Sequence, residues 1–328
     1  MKALICHKLG GPETLRVEEA PGCVAAEGEA LIDVDYAALN FFDLLLIAGK
    51  YQVKPSPPFS PAGEFSGRIA ALGPGTNGFA IGQRVCGYAV FGCARERLTI
   101  GADHLFAVPD ALPLEKATGL SITYGTTMHA FRQRGELKPG ETLVVLGASG
   151  GVGLAAVELG AQMGARVIAC ASSADKLAFA RKMGAHETVN YATDDLRGEL
   201  KRLTGARGVD VVYDPVGGAL TEVALRCLGW GGRLLVIGFA SGEIPKPPLN
   251  LALLKGCDIR GVHWGEFVKR EPQAHRANMK EIIALAARGA ISGHVHATLP
   301  LDGFREAFAM IERREAVGKV VLRIGAGE

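Results

Sequence analysis

Residues 143–178 read LVVLGASGGVGLAAVELGAQMGARVIACASSADKLA: an apolar strand, a glycine-rich turn, a helix and a second strand. Ala148, Gly150 and Gly153 make an A-x-G-x-x-G version of the dinucleotide fingerprint. In such a turn the middle glycine lets a pyrophosphate approach the backbone, and the last lets the helix sit close to the strand. The free N–H groups around the helix start, at Ser149, Gly150, Gly151 and Val152, face the phosphates. Alanine for the first glycine asks only for a slightly wider turn. The plainer alternative is a structural turn that binds nothing, but the full strand–turn–helix–strand context favours a nucleotide.

The end of the second strand selects the nucleotide. An NAD site places Asp or Glu there to accept from both ribose hydroxyls, and that carboxylate repels a 2′-phosphate. Here stands Ala171, followed by Ser172, with its hydroxyl, and Lys176, with its cation. A solvated helix lysine is the simpler account of Lys176 alone. Together with the missing acid it points to NADP(H), with NADPH as the cofactor.

Apolar runs alternating with helices surround this motif. Strands are expected at 142–146, 166–170, 187–191, 209–214, 233–239 and 257–264, with helices at 151–163, 175–183, 194–204 and 218–228 between them. That alternation predicts a parallel, doubly wound α/β sheet. Residues before about 115 are turn-rich and β-like, with strands at 30–39, 67–76 and 82–90, followed by helical spacing over 115–134. The tail holds helices at 276–288 and 302–314 and a strand at 319–324, KVVLRI.

Composition excludes several classes. The chain has 328 residues, 48% hydrophobic and 21% charged, enough for two cores. A formal net charge of +2, without clustered Arg or Lys along the chain, argues against nucleic acid and against an anionic membrane surface. The seven cysteines are scattered, with no CxxC pair, as in reduced cytoplasmic enzymes. The start, MKALICHKLGG, has too short an apolar run for a signal peptide, and no run approaches a membrane span.

The chain also carries NFFDLLLIAGKY (40–51), PAGEFSGRIAALGPG (61–75), GQRV (82–85), TYGTTMHAF (123–131), GASGGVG (147–153), GVDVVYDPVGG (208–218), GGRLLVIGF (231–239) and GKVVL (318–322). In this order and spacing they resemble the zinc-free, zeta-crystallin-like quinone oxidoreductases of the medium-chain dehydrogenase/reductase superfamily. The resemblance implies a GroES-like β-rich catalytic domain built from both chain ends (1–122 and 265–328) around a Rossmann domain (123–264), with the cofactor in the cleft between them. It implies Asn40 and Thr126 near the nicotinamide and its ribose, Val216 and Ile237-Gly238-Phe239 flanking the nicotinamide, Tyr191 on the adenosine side, and Lys319 in the cleft. The plainer alternatives are a helix cap for Thr126, a strand-edge position for Tyr191 and a surface charge for Lys319.

Zinc-dependent relatives place Cys where Asn40 stands and His where Gly63 stands, and 94–169 holds no cysteine. A tetrahedral zinc needs three protein ligands, so no metal is expected; Glu64 and His263 are stray candidates. Without a Lewis acid the acceptor must already be electrophilic. The expected reaction is hydride transfer from NADPH to a quinone, with Tyr51 either a proton donor or an aromatic wall. Reduction of an enone, alkenal or enoyl thioester is the alternative. A non-catalytic nucleotide- or RNA-binding crystallin is the reading from another class. An open doubly wound sheet leaves an edge, and 256–264 as that edge strand would pair with its twin across a two-fold axis; the resemblance also implies a homodimer.

Overall fold

The computed structural model describes residues 1–325, which form two compact units. The first comprises Met1–Ile122, Met279–Gly289 and the chain from Gly293 onward; the second comprises Thr123–Asn278 and Ala290–Ser292.

The first unit opens with β1 (Lys2–Cys6) and β2 (Leu15–Glu19), an antiparallel pair. It continues through β3 (Glu29–Leu39), β4 (Glu64–Leu72), β5 (Arg84–Tyr88), β6 (Arg97–Gly101) and β7 (Leu105–Ala107). The long β3 alternates buried and more open residues before ending in a wholly buried run, Tyr36–Leu39. Its core gathers Leu4, Ile32, Phe65, Val85 and Phe308, with Tyr51 packed at the margin.

The second unit is a six-stranded parallel sheet: β8 (Thr142–Leu146), β9 (Arg166–Ala171), β10 (Glu187–Asn190), β11 (Val209–Asp214), β12 (Leu228–Val236) and β13 (Asp258–Gly261). Their order is β10-β9-β8-β11-β12-β13. β8 sits in the middle with all five residues buried, as a strand covered on both faces must be. The turn that follows it opens the helix Gly151–Gln162. The strand order reverses between β8 and β11, the place where a doubly wound sheet leaves its crevice.

The chain then re-enters the first unit with β14 (Val295–Pro300) and β15 (Lys319–Arg323). The sheet there runs β14-β15-β3-β4-β5-β7, with β6 added on β3. β15 pairs antiparallel with β3, Val320 opposite Leu39, and β4 pairs with β3, Ala38 opposite Glu64.

Several expectations are corrected. The strand expected over 257–264 ends at Gly261, and Trp264 begins a helix, Trp264–Arg270. The second unit extends to Asn278, so 265–278 lies with the Rossmann sheet rather than with the catalytic unit. The strand expected at 67–76 runs Glu64–Leu72, because Gly73-Pro74-Gly75 turns out of the sheet with Gly75 at φ +72°. The segment 115–134 is not one helix: wide π turns at Leu120–Tyr124 and Ala130–Arg134 flank the short helix Gly125–His129. No described helix is long and apolar enough to cross a membrane.

Candidate functional site

In the second unit the glycine turn has the geometry its sequence asks for. Gly147 turns at φ +59°, and a Cβ on Gly153 would lie 2.1 Å from the Gly147 carbonyl oxygen, so only glycine lets the helix come this close. A Cβ on Gly150 would meet nothing nearer than 3.6 Å, which leaves that face open to a ligand. Ser149 is buried; Gly150, Gly151 and Val152 are half-buried. The first N–H groups of a twelve-residue helix have no partner within the helix, and its dipole adds positive potential there.

Ala171 closes β9 as a buried residue, Ser172 is exposed, and Lys176 is half-buried in the first turn of the helix Ala174–Lys182. Ser173, not singled out in the sequence, caps that helix by accepting from the Lys176 N–H at 3.5 Å. The Tyr191 N–H donates to the Ala171 carbonyl at 3.1 Å, which sets Tyr191 beside the end of β9.

Asp214 organises the far side of the sheet. Its Oδ1 accepts from the N–H groups of Val216 and Gly217, each at 2.9 Å. Its backbone carbonyl receives the Ile237 N–H at 2.9 Å, and Val216 receives the Ser241 N–H at 2.8 Å. Val216 and Ile237-Gly238-Phe239 are thereby laced side by side at the ends of β11 and β12. Phe239 is exposed.

Thr126 is half-buried, while its neighbour Thr127 is buried against the Tyr213 hydroxyl at 2.9 Å. Of this pair Thr127 is the structural one. His263 is exposed, at the start of the helix Trp264–Arg270.

The first unit brings together residues far apart in the chain. Lys319 Nζ lies 2.6 Å from Asn40 Oδ1 and 2.6 Å from Glu64 Oε1. Asn40 Nδ2 donates to Glu64 Oε1 at 3.0 Å, and the Ile122 N–H donates to Glu64 Oε2 at 2.8 Å. Lys319 is therefore no surface charge: Glu64, Asp43 and Lys319 are all buried. Asp43 Oδ2 accepts from the Asn40 N–H at 2.7 Å, and Oδ1 from the Ala62 N–H at 3.1 Å. Burial pushes the Asp43 carboxyl up to about 7, against the pull of the Asn40 N–H and the Lys319 charge. Asp43 was missed in the sequence, although Asn40-x-x-Asp43 ahead of an apolar run is the spacing of a capped helix start. Tyr51 stacks on Phe42 with ring centroids 5.2 Å apart, and burial, then the Asp43 charge, raise its phenol.

These residues do not fit a metal. A Cβ at Gly63 would lie 2.6 Å from Phe42 Cζ, so no histidine fits there without displacing the ring. The space beside Asn40 holds the ammonium of Lys319, a fixed positive charge that repels a divalent ion. Among the described residues no cluster of three or more His, Cys, Asp or Glu is arranged to hold an ion.

Comparison with known proteins agrees with this architecture. Residues 26–130 match the family described as alcohol dehydrogenase GroES-like domain, and residues 151–287 the one described as zinc-binding dehydrogenase. The quinone oxidoreductase-like protein 2 of Mus musculus is 35% identical over 98% of this chain and 92% of its own. The chain belongs to the quinone oxidoreductases of the medium-chain dehydrogenase/reductase superfamily. A 2-haloacrylate reductase from a Burkholderia species is 29% identical over 98% of both chains. The crystal structure of Escherichia coli quinone oxidoreductase complexed with NADPH superposes with a TM-score of 0.91, at 29% identity, covering 98% of this chain and 100% of that one. The fold is accordingly a Rossmann doubly wound sheet with a GroES-like β-rich unit, and the protein is an oxidoreductase of this superfamily.

Proposed function

We propose that this oxidoreductase is an NADPH-dependent quinone reductase that works without zinc. The observation that carries the reading is the end of β9: a glycine turn built for a pyrophosphate, with Ala171 in place of the ribose-binding acid and Ser172 and Lys176 beside it. The NADPH complex of the Escherichia coli relative supports it.

The N–H groups of Ser149, Gly151 and Val152 would hold the pyrophosphate, the Gly150 N–H instead donating to the Gly147 carbonyl at 3.1 Å. Ser172 and Lys176 would hold the 2′-phosphate, and Tyr191 the adenosine side. Thr126, Val216 and Ile237-Gly238-Phe239 would confine the nicotinamide, and, as the resemblance implies, Asn40 and Lys319 would contact the cofactor. When bound, NADPH supplies a hydride. The residues' task is to orient, exclude water and manage charge, because a quinone is electrophilic enough to accept a hydride from a donor about 3–3.5 Å away. Tyr51 is the phenol available to donate a proton to the reduced acceptor.

The 2-haloacrylate reductase among the relatives favours activated-alkene reduction as the second reading. The reduced cysteines fit a cytoplasmic location, and the open edge of β13 fits a homodimer. The deciding experiment measures NADPH oxidation with quinones, enones and enoyl thioesters, with and without a strong chelator. Rapid, chelator-resistant turnover with quinones supports the proposal; turnover confined to alkenes supports the second reading. No turnover with any acceptor supports a non-catalytic binding protein.

A further inference from the structure

Three strands meet at Glu64. It is the first residue of β4, Asn40 directly follows β3, and Lys319 begins β15. The pairing of Val320 with Leu39 and of Glu64 with Ala38 sets the three side chains at one end of the sheet. Gly119 makes room for the lysine stem: a Cβ there would sit 2.7 Å from Lys319 Cγ.

The hydrogen bonds leave no freedom of orientation. Glu64 is wholly buried and accepts from Lys319, Asn40 and the Ile122 N–H. Asn40 turns its Nδ2 toward this carboxylate and its Oδ1 toward the ammonium. Flipping the amide would set NH₂ against the ammonium and C=O against the carboxylate, losing both bonds. The second Nδ2 hydrogen, not shared with Glu64, is therefore held in one direction by the other two bonds. The groups that titrate or carry charge around this pair are Asp43 on the helix Phe41–Ile47, the Cys86 thiol on β5, and the Cys93 thiol, which also feels Arg95.

We infer that Glu64 is a positioning residue: its carboxylate fixes the Lys319 ammonium and the Asn40 carboxamide in a single arrangement, on which NADPH binding depends. This rests on the reading above that Asn40 and Lys319 contact the nucleotide. A merely structural Glu64 would neutralise a buried lysine and do nothing more. Glutamine at this position keeps the size but breaks the match, because its NH₂ must face either the Ile122 N–H or the Asn40 and Lys319 donors.

The test compares the full-length unmodified chain with Glu64→Gln, Lys319→Met and the double variant. In the nucleotide-free protein, the Asn40 side-chain NH₂ is followed by ¹H–¹⁵N spectroscopy and identified by its loss in Asn40→Ala. It should exchange slowly in the unmodified chain and at least about tenfold faster in Glu64→Gln, as expected for a lost charge-assisted bond. NADPH affinity, read by fluorescence titration, should fall about tenfold or more in Glu64→Gln, the size of one such bond, with kcat falling and the quinone KM steady. The double variant removes the buried unpaired charge, so its thermal midpoint should recover while NADPH affinity does not. The inference is overturned if the Asn40 signal and NADPH affinity are indifferent to Glu64→Gln. It is equally overturned if the double variant restores both folding and affinity. If the unmodified chain binds NADPH but reduces no quinone, the functional reading fails while the affinity comparison still decides the case for Glu64.

Discussion

The Thr221 hydroxyl donates to Asp214 Oδ2 at 2.5 Å, while Oδ1 of the same buried carboxylate takes the N–H groups of Val216 and Gly217. Oδ1 is thus the shared acceptor that holds the Val216–Gly217 turn in place. Asp214→Ala leaves the Val216 and Gly217 N–H groups without their acceptor. It should cost about 1–3 kcal/mol, the usual penalty for a buried unsatisfied group. Because the same turn carries Val216, NADPH affinity should fall with stability. Thermal unfolding and nucleotide titration of the one variant check both; unchanged affinity in a destabilised protein would remove Val216 from the binding surface.

Cofactor choice is set at the end of β9. NADPH should bind more tightly than NADH, and Ala171→Asp should reverse the order by restoring a carboxylate where a 2′-phosphate would lie. Lys176→Ala should weaken NADPH far more than NADH. Equal dissociation constants for the two nucleotides in the unmodified chain would sink this assignment.

The sequence carried the parallel sheet and its turn because both are local: a buried run, three small residues and a helix spell out one supersecondary unit. The capped start at Asn40 and Asp43 is equally local, an Asn-x-x-Asp spacing ahead of an apolar run. The link between Asn40 and Lys319 was not legible, since it depends on strand register between segments 279 residues apart. Lys319 alone reads as an ordinary surface cation. The absence of clustered cations held only along the chain. Arg197, Lys201, Arg226 and Lys255 line one surface cavity of about 420 Å³ in the second unit. The break at Gly261 followed by a helix was illegible for a different reason: Val262-His263-Trp264 has strand-like residue types in a helix-entry position.

Asp43 predicts a pH dependence with an inverted sign for a carboxylate. Its folded value, about 7, lies above the ordinary range, so the folded chain holds its proton where the unfolded chain has lost it. Its contribution is full below about pH 4 and is lost as pH rises through about 7, with a slope approaching about 1.4 kcal/mol per pH unit. Denaturant unfolding between about pH 5 and 8 should show the unmodified chain losing stability relative to Asp43→Asn. Parallel curves for the two proteins would mean that the Asn40 and Ala62 N–H groups keep Asp43 ionised throughout.

The edge strand β13 pairs with β12 on one side only among the described residues, and Ile259 on it is partly exposed. Trp230, Leu253 and Leu254 are exposed apolar residues of the same unit. Open edges are normally paired or covered, and pairing with its twin across a two-fold axis would close this one. Sedimentation at micromolar concentration should give twice the 34.4 kDa chain mass, and Ile259→Lys should shift the population toward monomer. A single 34.4 kDa species in the unmodified protein would rule the pairing out.

Hydride transfer to a quinone leaves a hydroquinone anion that must gain a proton. Tyr51 is half-buried and stacked on Phe42, and both burial and the Asp43 charge raise its phenol, which keeps it protonated and able to donate. The same facts fit an aromatic wall, since the stacked ring alone shapes the surface. Tyr51→Phe separates the two, because it keeps the ring and the stack and removes only the hydroxyl. If Tyr51 donates, kcat should fall by about 10²–10⁴, the range of a positioned acid, with NADPH affinity unchanged. The loss should ease with acceptors whose hydroquinones are more acidic, since they need the donor less. If kcat holds and only the quinone KM moves, Tyr51 is a wall and the proton comes from water.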